Sequence, residues 1–357
     1  MTANVASYGA HELRQLCETL FRRAGLDDDK SAVVASRLVD ADLLGHDTHG
    51  LQLCGAYLKA LFDGRMAKSG SYSTVSDLGH CAVWDGNCLP GPWLVTKGVQ
   101  HATEQSLSCG ICTIMIRRSM HTACLATYLE YATDRSCMVL VASTSPSEQH
   151  VSAHHGADPL FNPAPLAVGI PTSKDGPILI DMALASSTVG RAWRLSNERE
   201  LFPYPIAVDH AGNPTNDPGV VFQDGDNVGS ILPLGGFEQG HKGFALLLWL
   251  EAATQGLSGF GRADKPKGWE NTVFIQAMCP ERLAGKESFL RQTDHLVEIC
   301  KNSRPDSRNI AVRMPGATAI EGRKRKLAEG IQLHPFIMSD LRSWAVKLGV
   351  QFPDPIQ

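Results

Sequence analysis

Helix-like and strand-like apolar patterns alternate through the middle of this 357-residue chain, and helix-like patterns occupy both ends. Strand patterns at 111–116, 138–142 and 272–277 are separated by stretches that have the period of an amphipathic helix. Two further runs, 164–171 and 178–182, predict neighbouring strands. Such alternation is typical of a sheet covered by helices, so we predict an α/β core that carries a helical layer built from both termini.

The length suggests two domains, and a polar, glycine-containing stretch at 64–79 predicts a boundary between them. We expect a discontinuous helical domain formed by residues 1–70 and 286–357 and a central α/β region at 71–285. Residues 203–219 are rich in Pro, Gly, Asn and Asp and predict a long loop. The nearly uninterrupted apolar run at 244–253 predicts a buried helix.

Composition describes an ordinary globular protein, with 43% hydrophobic and 20% charged residues. The net charge of -4 gives no reason to expect nucleic acid or an anionic membrane as a partner. The chain has no apolar run near the ~20 residues that span a bilayer, and its N-terminus is polar, so we expect a cytoplasmic protein. Cys109 and Cys112 match a CxxC pair, but the strand pattern that follows favours reduced structural cysteines over a redox site.

Two histidines, a carboxylate and a hydroxyl lie between two glycines in the segment 45–50. A helical pattern upstream should end at Gly45, and we predict that Asp47 or Thr48 caps a second helix. His49 would then lie in the first turn of that helix, where the helix dipole favours the neutral ring and Asp47 favours the protonated one. A ring balanced in this way suits proton transfer near neutral pH.

Two other interpretations of this segment stay open. The residues can form a plain corner between two helices, with both histidines serving as surface polar groups. His46, Asp47 and His49 can also be ligands of a metal-dependent hydrolase, although a capped corner breaks the continuous helix that would align both rings.

Dinucleotide-binding proteins of the Rossmann type carry a GxGxxG turn between a strand and a helix, and the chain has no such turn. Gly256, Gly259 and Gly261 come closest, but they follow a helical pattern and lack the third glycine of the motif. Any nicotinamide cofactor must therefore bind without the usual phosphate loop.

An ordered series of short motifs makes the whole chain resemble the type-2 malate/L-lactate dehydrogenase family, which includes sulfolactate dehydrogenase, ureidoglycolate dehydrogenase, diketogulonate reductase and Δ1-piperideine-2-carboxylate reductase. The motifs are Asp47-Thr48-His49-Gly50, Ser119-Met120-His121, Asn162-Pro163, Asp181-Met182-Ala183 with Ser186, Leu232-Pro233-Leu234-Gly235-Gly236, His241-Lys242-Gly243 and Arg313-Met314-Pro315-Gly316. The resemblance implies a non-Rossmann, mixed-sheet nicotinamide-binding fold, a homodimer, and an oxidoreductase that uses NADH or NADPH.

The same resemblance implies roles for individual residues. His49 would donate a proton to the carbonyl oxygen or imine nitrogen, Asp47 would position it, and His121 would bind or polarise the substrate. The substrate would be surrounded by Thr48, Leu53, Met120 and Phe161. The cofactor would contact Thr144, Ser145, Asp181, Met182, Ala183, Ser186, Lys242, Gly243 and Arg313. No metal is implied.

The chain departs from the family at three of these positions. Leu53 replaces the arginine that clamps the substrate carboxylate, Met120 replaces an asparagine, and Phe161 replaces a threonine. Because an unpaired carboxylate is costly to bury, we expect a specialised cyclic imine or ketone of a biosynthetic pathway instead of simple lactate or malate. A substitute clamp is available in principle from Arg117, Arg118 or Arg191.

The same departures motivate a second hypothesis from another functional class. The chain would keep the fold but lose hydride transfer, and act as a lyase, an isomerase or a binding protein. The presence of His49, His121, Asp181 and Lys242 argues against it.

Overall fold

The computed structural model describes residues 6–174, 176–225 and 228–356. Its α-helices are α1 (Ala10–Arg23), α2 (Asp28–Leu44), α3 (Cys54–Phe62), α4 (Gly91–Cys109), α5 (Glu130–Thr133), α6 (Val189–Glu198), α7 (Gly236–Glu251), α8 (Lys286–Lys301), α9 (Ala317–Glu329) and α10 (Pro335–Leu348). Its strands are β1 (Ser7–Tyr8), β2 (Ser73–Asp77), β3 (Cys81–Asp85), β4 (Ile111–Ser119), β5 (Met138–Thr144), β6 (Val151–Ser152), β7 (Pro159–Phe161), β8 (Pro165–Ile170), β9 (Ile178–Ala183), β10 (Ala207–Val208), β11 (Pro214–Thr215), β12 (Ser230–Ile231), β13 (Asn271–Met278) and β14 (Ile331–Gln332).

A seven-stranded sheet in the order β2-β3-β4-β13-β5-β8-β9 forms the centre of the molecule. Strands β3 and β4 are parallel and are joined through α4, whereas the other neighbouring pairs are antiparallel. Val273, Ile275 and Ala277 on the central strand β13 are fully buried. The predicted α/β fold with a mixed sheet is confirmed.

Helices near both ends of the chain pack into a second apolar core. Leu13 and Phe21 on α1, Leu38 on α2, Tyr57 on α3 and Leu341 on α10 belong to one buried cluster. Strands β1 and β14 also pair, which joins the two ends directly. Burial of these apolar side chains is the main driving force for packing the layer together.

Several boundaries differ from the sequence prediction because tertiary contacts override local pattern. The segment 64–79 contains the edge strand β2, and the predicted loop at 203–219 contains the short hairpin β10–β11. The stretch between β4 and β5, which has the period of an amphipathic helix in the sequence, is a 3₁₀ turn at Leu125–Tyr128 followed by the single turn α5. The helix that follows the two-histidine segment begins only at Cys54.

Helix α7 is buried on one face and exposed on the other, although its sequence is apolar on nearly all sides. Leu247 and Leu250 are buried, but Leu246, Leu248 and Trp249 are 42%, 49% and 47% exposed. The prediction of a buried helix is therefore wrong for the single chain, in which only one face of α7 is covered. Among the described residues, no helix is both long and apolar enough to cross a membrane.

Candidate active site

A cavity of about 340 Å³ lies at one edge of the central sheet. The ends of β4, β13, β5, β8 and β9 meet at this edge, because Ser119 pairs with Asn271, Thr144 with Thr272, and Pro165 with Ala183. The described residues that line the cavity are His46, Thr48, His49, Gln52, Leu53, His121, Thr122, Ala123, Cys124, Leu125, Ser145, Glu148, Asn162, Pro163, Pro165, Asp181, Met182, Ala183, Thr188, Val189, Gly190, Trp269 and Asn271.

The His49 ring is carried by a short 3₁₀ turn, Asp47–His49, and not by the first turn of a helix as predicted. Gly45 ends α2 in the left-handed conformation, with φ of 90°, as the sequence predicts. The Thr48 amide donates to Asp47 Oδ1 at 2.9 Å, and Thr48 Oγ1 lies 3.0 Å from His49 Nδ1. The turn therefore fixes the ring through the hydroxyl of Thr48.

The break after His49 is imposed by a buried carboxylate beneath the turn. Leu51 donates its backbone N–H to Asp42 Oδ2 at 2.6 Å, and a Cβ on Gly50 would lie 2.2 Å from the same oxygen. A side chain at this position is excluded by that approach. Burial raises the pKa of Asp42 to about 7, with Asp47 adding to the rise while the Leu51 amide and Lys326 oppose it.

Burial and neighbouring charges together set the pKa of His49. Burial lowers the pKa of its imidazole, and His46 lowers it further, whereas the carboxylates of Asp181 and Asp47 raise it. Asp47 is itself paired with Arg194 at 3.0 Å. The predicted balance between a neutral and a protonated ring thus exists, but burial and not a helix dipole favours the neutral form.

His121 is held as a neutral ring. The Ala123 amide donates to its Nδ1 at 3.2 Å, which leaves the ring proton on Nε2. The Tyr57 hydroxyl donates to the His121 backbone carbonyl at 2.8 Å and lies 2.9 Å from the same Nδ1. Burial, with a smaller effect of His49, lowers the pKa of His121 to about 3. The ring is consequently a hydrogen-bond donor and not an acid at neutral pH.

The aromatic rings of the cavity follow one another along its wall. The centroid of His121 lies 6.0 Å from that of His49 and 4.9 Å from that of Trp269, in stacked orientations. Trp269 Nε1 donates to Glu148 Oε1 at 3.0 Å. His121 and Trp269 therefore separate Glu148 from His49.

Negative charge dominates the polar part of the wall. Asp181 accepts hydrogen bonds from the Ala126 amide at 2.9 Å and from the Cys124 thiol at 3.4 Å, and Glu148 is the second carboxylate. No arginine or lysine occurs among the described lining residues.

The three arginines considered as substitute clamps do not supply this missing charge. Arg117 and Arg118 both bind Asp85, at 2.9 and 2.8 Å. Arg191 lies on the first turn of α6 with an exposed side chain. A clamp for a substrate carboxylate is thus absent from the described wall of the cavity.

A second cleft adjoins the cavity and shares His46 and Asp181 with it. Its wall carries Arg313, Arg325 and Lys326, a charge complement suited to phosphate groups. Inside the cavity, the buried Ser145 Oγ and Asn162 Oδ1 have no hydrogen-bond partner within the described structure. The unpaired Ser145 hydroxyl and Asn162 amide oxygen suit the carboxamide of a nicotinamide dinucleotide, and the basic cleft suits its phosphates.

One group of side chains has metal-ligand chemistry. One ligand atom from each of His46, Cys124 and Asp181 lies within 4.8 Å of the others. The Cys124 thiol donates to Asp181, and burial raises its pKa well above the usual value, which keeps the sulfur in the thiol form. Asp47, a member of the metal set considered from the sequence, is instead paired with Arg194.

Of the residues implied by the family resemblance, the structure brings Thr48, His49, Leu53, His121, Ser145, Asp181, Met182 and Ala183 to the cavity. Met120 is 1% exposed and belongs to the helical core, and Phe161 packs against Phe244. Neither side chain therefore supplies the apolar substrate wall expected from the sequence.

The remaining implied residues have structural contacts of their own. Thr144 is buried between Thr254 and Thr272, and Ser186 donates to the Pro233 carbonyl. Lys242 is exposed on α7, where Gly243 is required because a Cβ would lie 2.4 Å from the Leu234 carbonyl oxygen.

Sequence reasoning missed Tyr57, Glu148, Trp269 and Asn271. Tyr57 lies on the predicted helix after the two-histidine segment, but nothing local shows that its hydroxyl reaches His121. The other three belong to segments without a motif. Asn271 reaches the cavity through the pairing of β13 with β4, whereas Glu148 lies in the loop that follows β5 and Trp269 in the loop that precedes β13.

The chain matches the malate/L-lactate dehydrogenase family over residues 8–342. It is 28% identical to the malate/(S)-sulfolactate dehydrogenase of Methanothermus fervidus, over 95% of this chain and 97% of that protein. It is 27% identical to the L-lactate dehydrogenase of Cupriavidus necator, again over 95% and 97% of the two chains.

Solved structures share the fold. Malate dehydrogenase from Entamoeba histolytica superposes with a TM-score of 0.92 at 21% identity, covering 98% of this chain and 99% of that one. Delta1-piperideine-2-carboxylate reductase from Pseudomonas syringae pvar. tomato gives a TM-score of 0.82 at 23% identity, covering 95% and 99%. At these identities the likeness concerns the fold alone.

Proposed function

The chain belongs to the malate/L-lactate dehydrogenase family, and we propose that it reduces a C=O or C=N bond with His49 as the proton donor. Members of this family are NAD(P)-dependent oxidoreductases, so NADH or NADPH supplies the hydride. The observation that carries the proposal is the pair of unlike histidines, His49 and His121, on one cavity wall.

The two rings suit different parts of the same step. As hydride adds to carbon, negative charge develops on the oxygen or nitrogen and must be neutralised. His49 delivers a proton there, since Thr48 orients its ring and the charge of Asp181 opposes the fall in its pKa that burial causes. His121 stays neutral and donates a hydrogen bond from Nε2 to the same atom.

Two adjoining parts of the chain are proposed to bind the cofactor. Ser145 and Asn162 would hold the nicotinamide carboxamide in the cavity, and Arg313 and Arg325 would bind the phosphates in the adjoining cleft. Asp181, Met182 and Ala183 line the cavity as β9 ends. Four further residues that the resemblance assigns to the cofactor do not line the cavity, and they would support its wall or contact the cofactor outside it: Thr144, Ser186, Lys242 and Gly243.

The substrate is proposed to be a cyclic imine or a ketone of specialised metabolism instead of lactate or malate. Leu53 lines the cavity where relatives carry the clamping arginine, and no described lining residue replaces that positive charge. Burying a free carboxylate in this wall would cost several kcal/mol without a partner.

We also propose a homodimer. Four apolar side chains of α7 are between 40% and 49% exposed, and contiguous exposed apolar side chains are typical of an interface: Phe237, Leu246, Leu248 and Trp249. A second copy of the chain would cover these side chains. Sedimentation of the wild type and of Trp249→Lys tests this: the wild type should be a dimer, the variant should dissociate, and a monomeric wild type would contradict the proposal.

Fluorescence titration with NADH and NADPH, followed by turnover assays, tests the reductase proposal. At least one cofactor should bind, and methylpyrroline, a cyclic imine, should be reduced faster than pyruvate or oxaloacetate. Failure of both cofactors to bind would remove the reductase function and favour a protein that has lost hydride transfer. Ordinary Michaelis constants for pyruvate or oxaloacetate would contradict the proposed substrate class.

A further inference from the structure

Glu148 is a carboxylate on the cavity wall that the proposed mechanism does not use. It is half-buried, and its Oε1 accepts one hydrogen bond, from Trp269 Nε1 at 3.0 Å. Trp269 and His121 lie between it and His49. The carboxylate thus lies away from the proton donor but in the same cavity.

The nearest cation does not neutralise Glu148. The guanidinium of Arg262 binds both carboxylate oxygens of Glu251 at 2.8 Å. Its remaining nitrogen donates to the backbone carbonyls of Pro146 and Glu148. Arg262 is therefore matched in charge by Glu251, and the Glu148 side chain forms no salt bridge within the described part of the chain.

A second acceptor in the same cavity lacks a donor. Asn271 is 4% exposed; its amide nitrogen donates to Ser143 Oγ at 3.2 Å, and its Oδ1 has no partner in the described structure. A buried acceptor of this kind costs stability unless a ligand supplies the donor. A carboxylate and an orphaned amide oxygen together call for a ligand that brings N–H donors and positive charge.

We infer that the substrate carries a protonated amine, held by Glu148 and Asn271, at a distance from the double bond that is reduced beside His49. The inference rests on the proposed reductase function and narrows its substrate to amine-bearing ketones or imines. The inference also accounts for Leu53 in place of the carboxylate-binding arginine, since Glu148 would repel a substrate carboxylate in the same cavity.

Burial strengthens the argument from geometry. Enclosure raises the pKa of Glu148, while the Trp269 hydrogen bond and the charge of Arg262 oppose that rise. A cationic ligand would stabilise the ionised carboxylate and recover part of the cost of its burial. An anionic ligand would add to that cost.

Three ketones of matched shape test the inference by calorimetric binding: methylaminoethyl methyl ketone is cationic and carries two N–H donors, butyl methyl ketone is its neutral isostere, and levulinate is anionic. The cation should bind the wild type at least about tenfold more tightly than the other two, as expected for a charged hydrogen bond. Glu148→Gln keeps an acceptor for Trp269 but should lose this preference, with affinity for the neutral ketone and for NADH or NADPH unchanged.

Glu287→Gln is the matched control, because it removes the same charge from an exposed position on α8. It should leave all three affinities as in the wild type. Equal binding of cation and neutral isostere, preference for levulinate, no binding of any probe, or a Glu148→Gln variant that keeps its preference would each overturn the inference. Because binding and not turnover is measured, the result stands apart from whether hydride transfer occurs.

Discussion

The hydroxyl of Tyr57 on α3 donates to the backbone carbonyl of His121 at 2.8 Å and lies 2.9 Å from Nδ1 of the same residue. One helical side chain therefore fixes the main chain of the cavity histidine, and with it the position of the ring. This contact joins the helical core to the edge of the central sheet, and it makes Tyr57 a positioning residue for His121.

Tyr57→Phe should lower kcat about tenfold, because loss of one buried hydrogen bond lets the His121 ring leave its productive orientation. KM for the cofactor should not change. Tyr128→Phe is the matched control: its buried hydroxyl binds the Thr122 carbonyl and not His121, so it should lose stability but keep kcat. Equal losses of kcat in both variants would contradict the positioning role.

The pH dependence of reduction should follow the proton on His49. A donor must be protonated, so kcat/KM should fall as pH rises through a pKa that burial places below the usual 6.5. Asp181→Asn removes the carboxylate with the larger effect of the two that raise this pKa, and it should move the falling limb to lower pH. Asp47→Asn should move it the same way but less. A limb that stays in place in Asp181→Asn would exclude His49 as its source.

Asp42 should make the protein less stable as pH rises. Its folded-state pKa of about 7 exceeds the usual 3.8, so the folded chain retains a proton that the unfolded chain releases. The stability gained from this proton is complete below the unfolded value and is lost as pH rises through the folded one. Asp42→Asn still accepts the Leu51 N–H, and its urea midpoint relative to wild type should increase between about pH 5 and about pH 8. A constant difference would show that Asp42 does not titrate with a raised pKa.

Leu53→Arg should restore recognition of a substrate carboxylate. The new guanidinium would face the cavity and bind a carboxylate through two hydrogen bonds. We expect KM for pyruvate and oxaloacetate to fall by about tenfold or more, the worth of a charged hydrogen bond. Leu53→Met, which adds length without charge, should leave these values unchanged; an equal improvement in both variants would rule out charge as the cause.

Much of the fold follows from local pattern. The strand signals at 111–116 and 272–277 correspond to β4 and β13, and the left-handed Gly45 ends α2 where expected. The late start of α3 was not predictable, since it depends on the Asp42 carboxylate binding the Leu51 amide from the preceding helix. The exposure of α7 was missed for a similar reason, because an apolar sequence does not reveal which faces are covered.

The site was predictable where motifs carry it and not elsewhere. His49, His121 and Asp181 could be named because each belongs to a recognisable motif, and they meet in the cavity. Glu148 and Trp269 belong to no motif and reach the cavity from the loops that follow β5 and precede β13, whose course a local pattern does not reveal. Met120 shows the converse: its place beside His121 in the sequence suggested a substrate contact, but its side chain points into the helical core.

The most direct test of the central claim is the rate of hydride transfer in His49→Gln, measured by stopped flow with saturating NADPH or NADH and methylpyrroline. Glutamine keeps a hydrogen-bonding group but cannot donate a proton as an acid, so the rate should fall by about a hundredfold or more. Cofactor affinity, measured in parallel by fluorescence, should equal that of the wild type. A His49→Gln variant that transfers hydride at the wild-type rate would contradict the account.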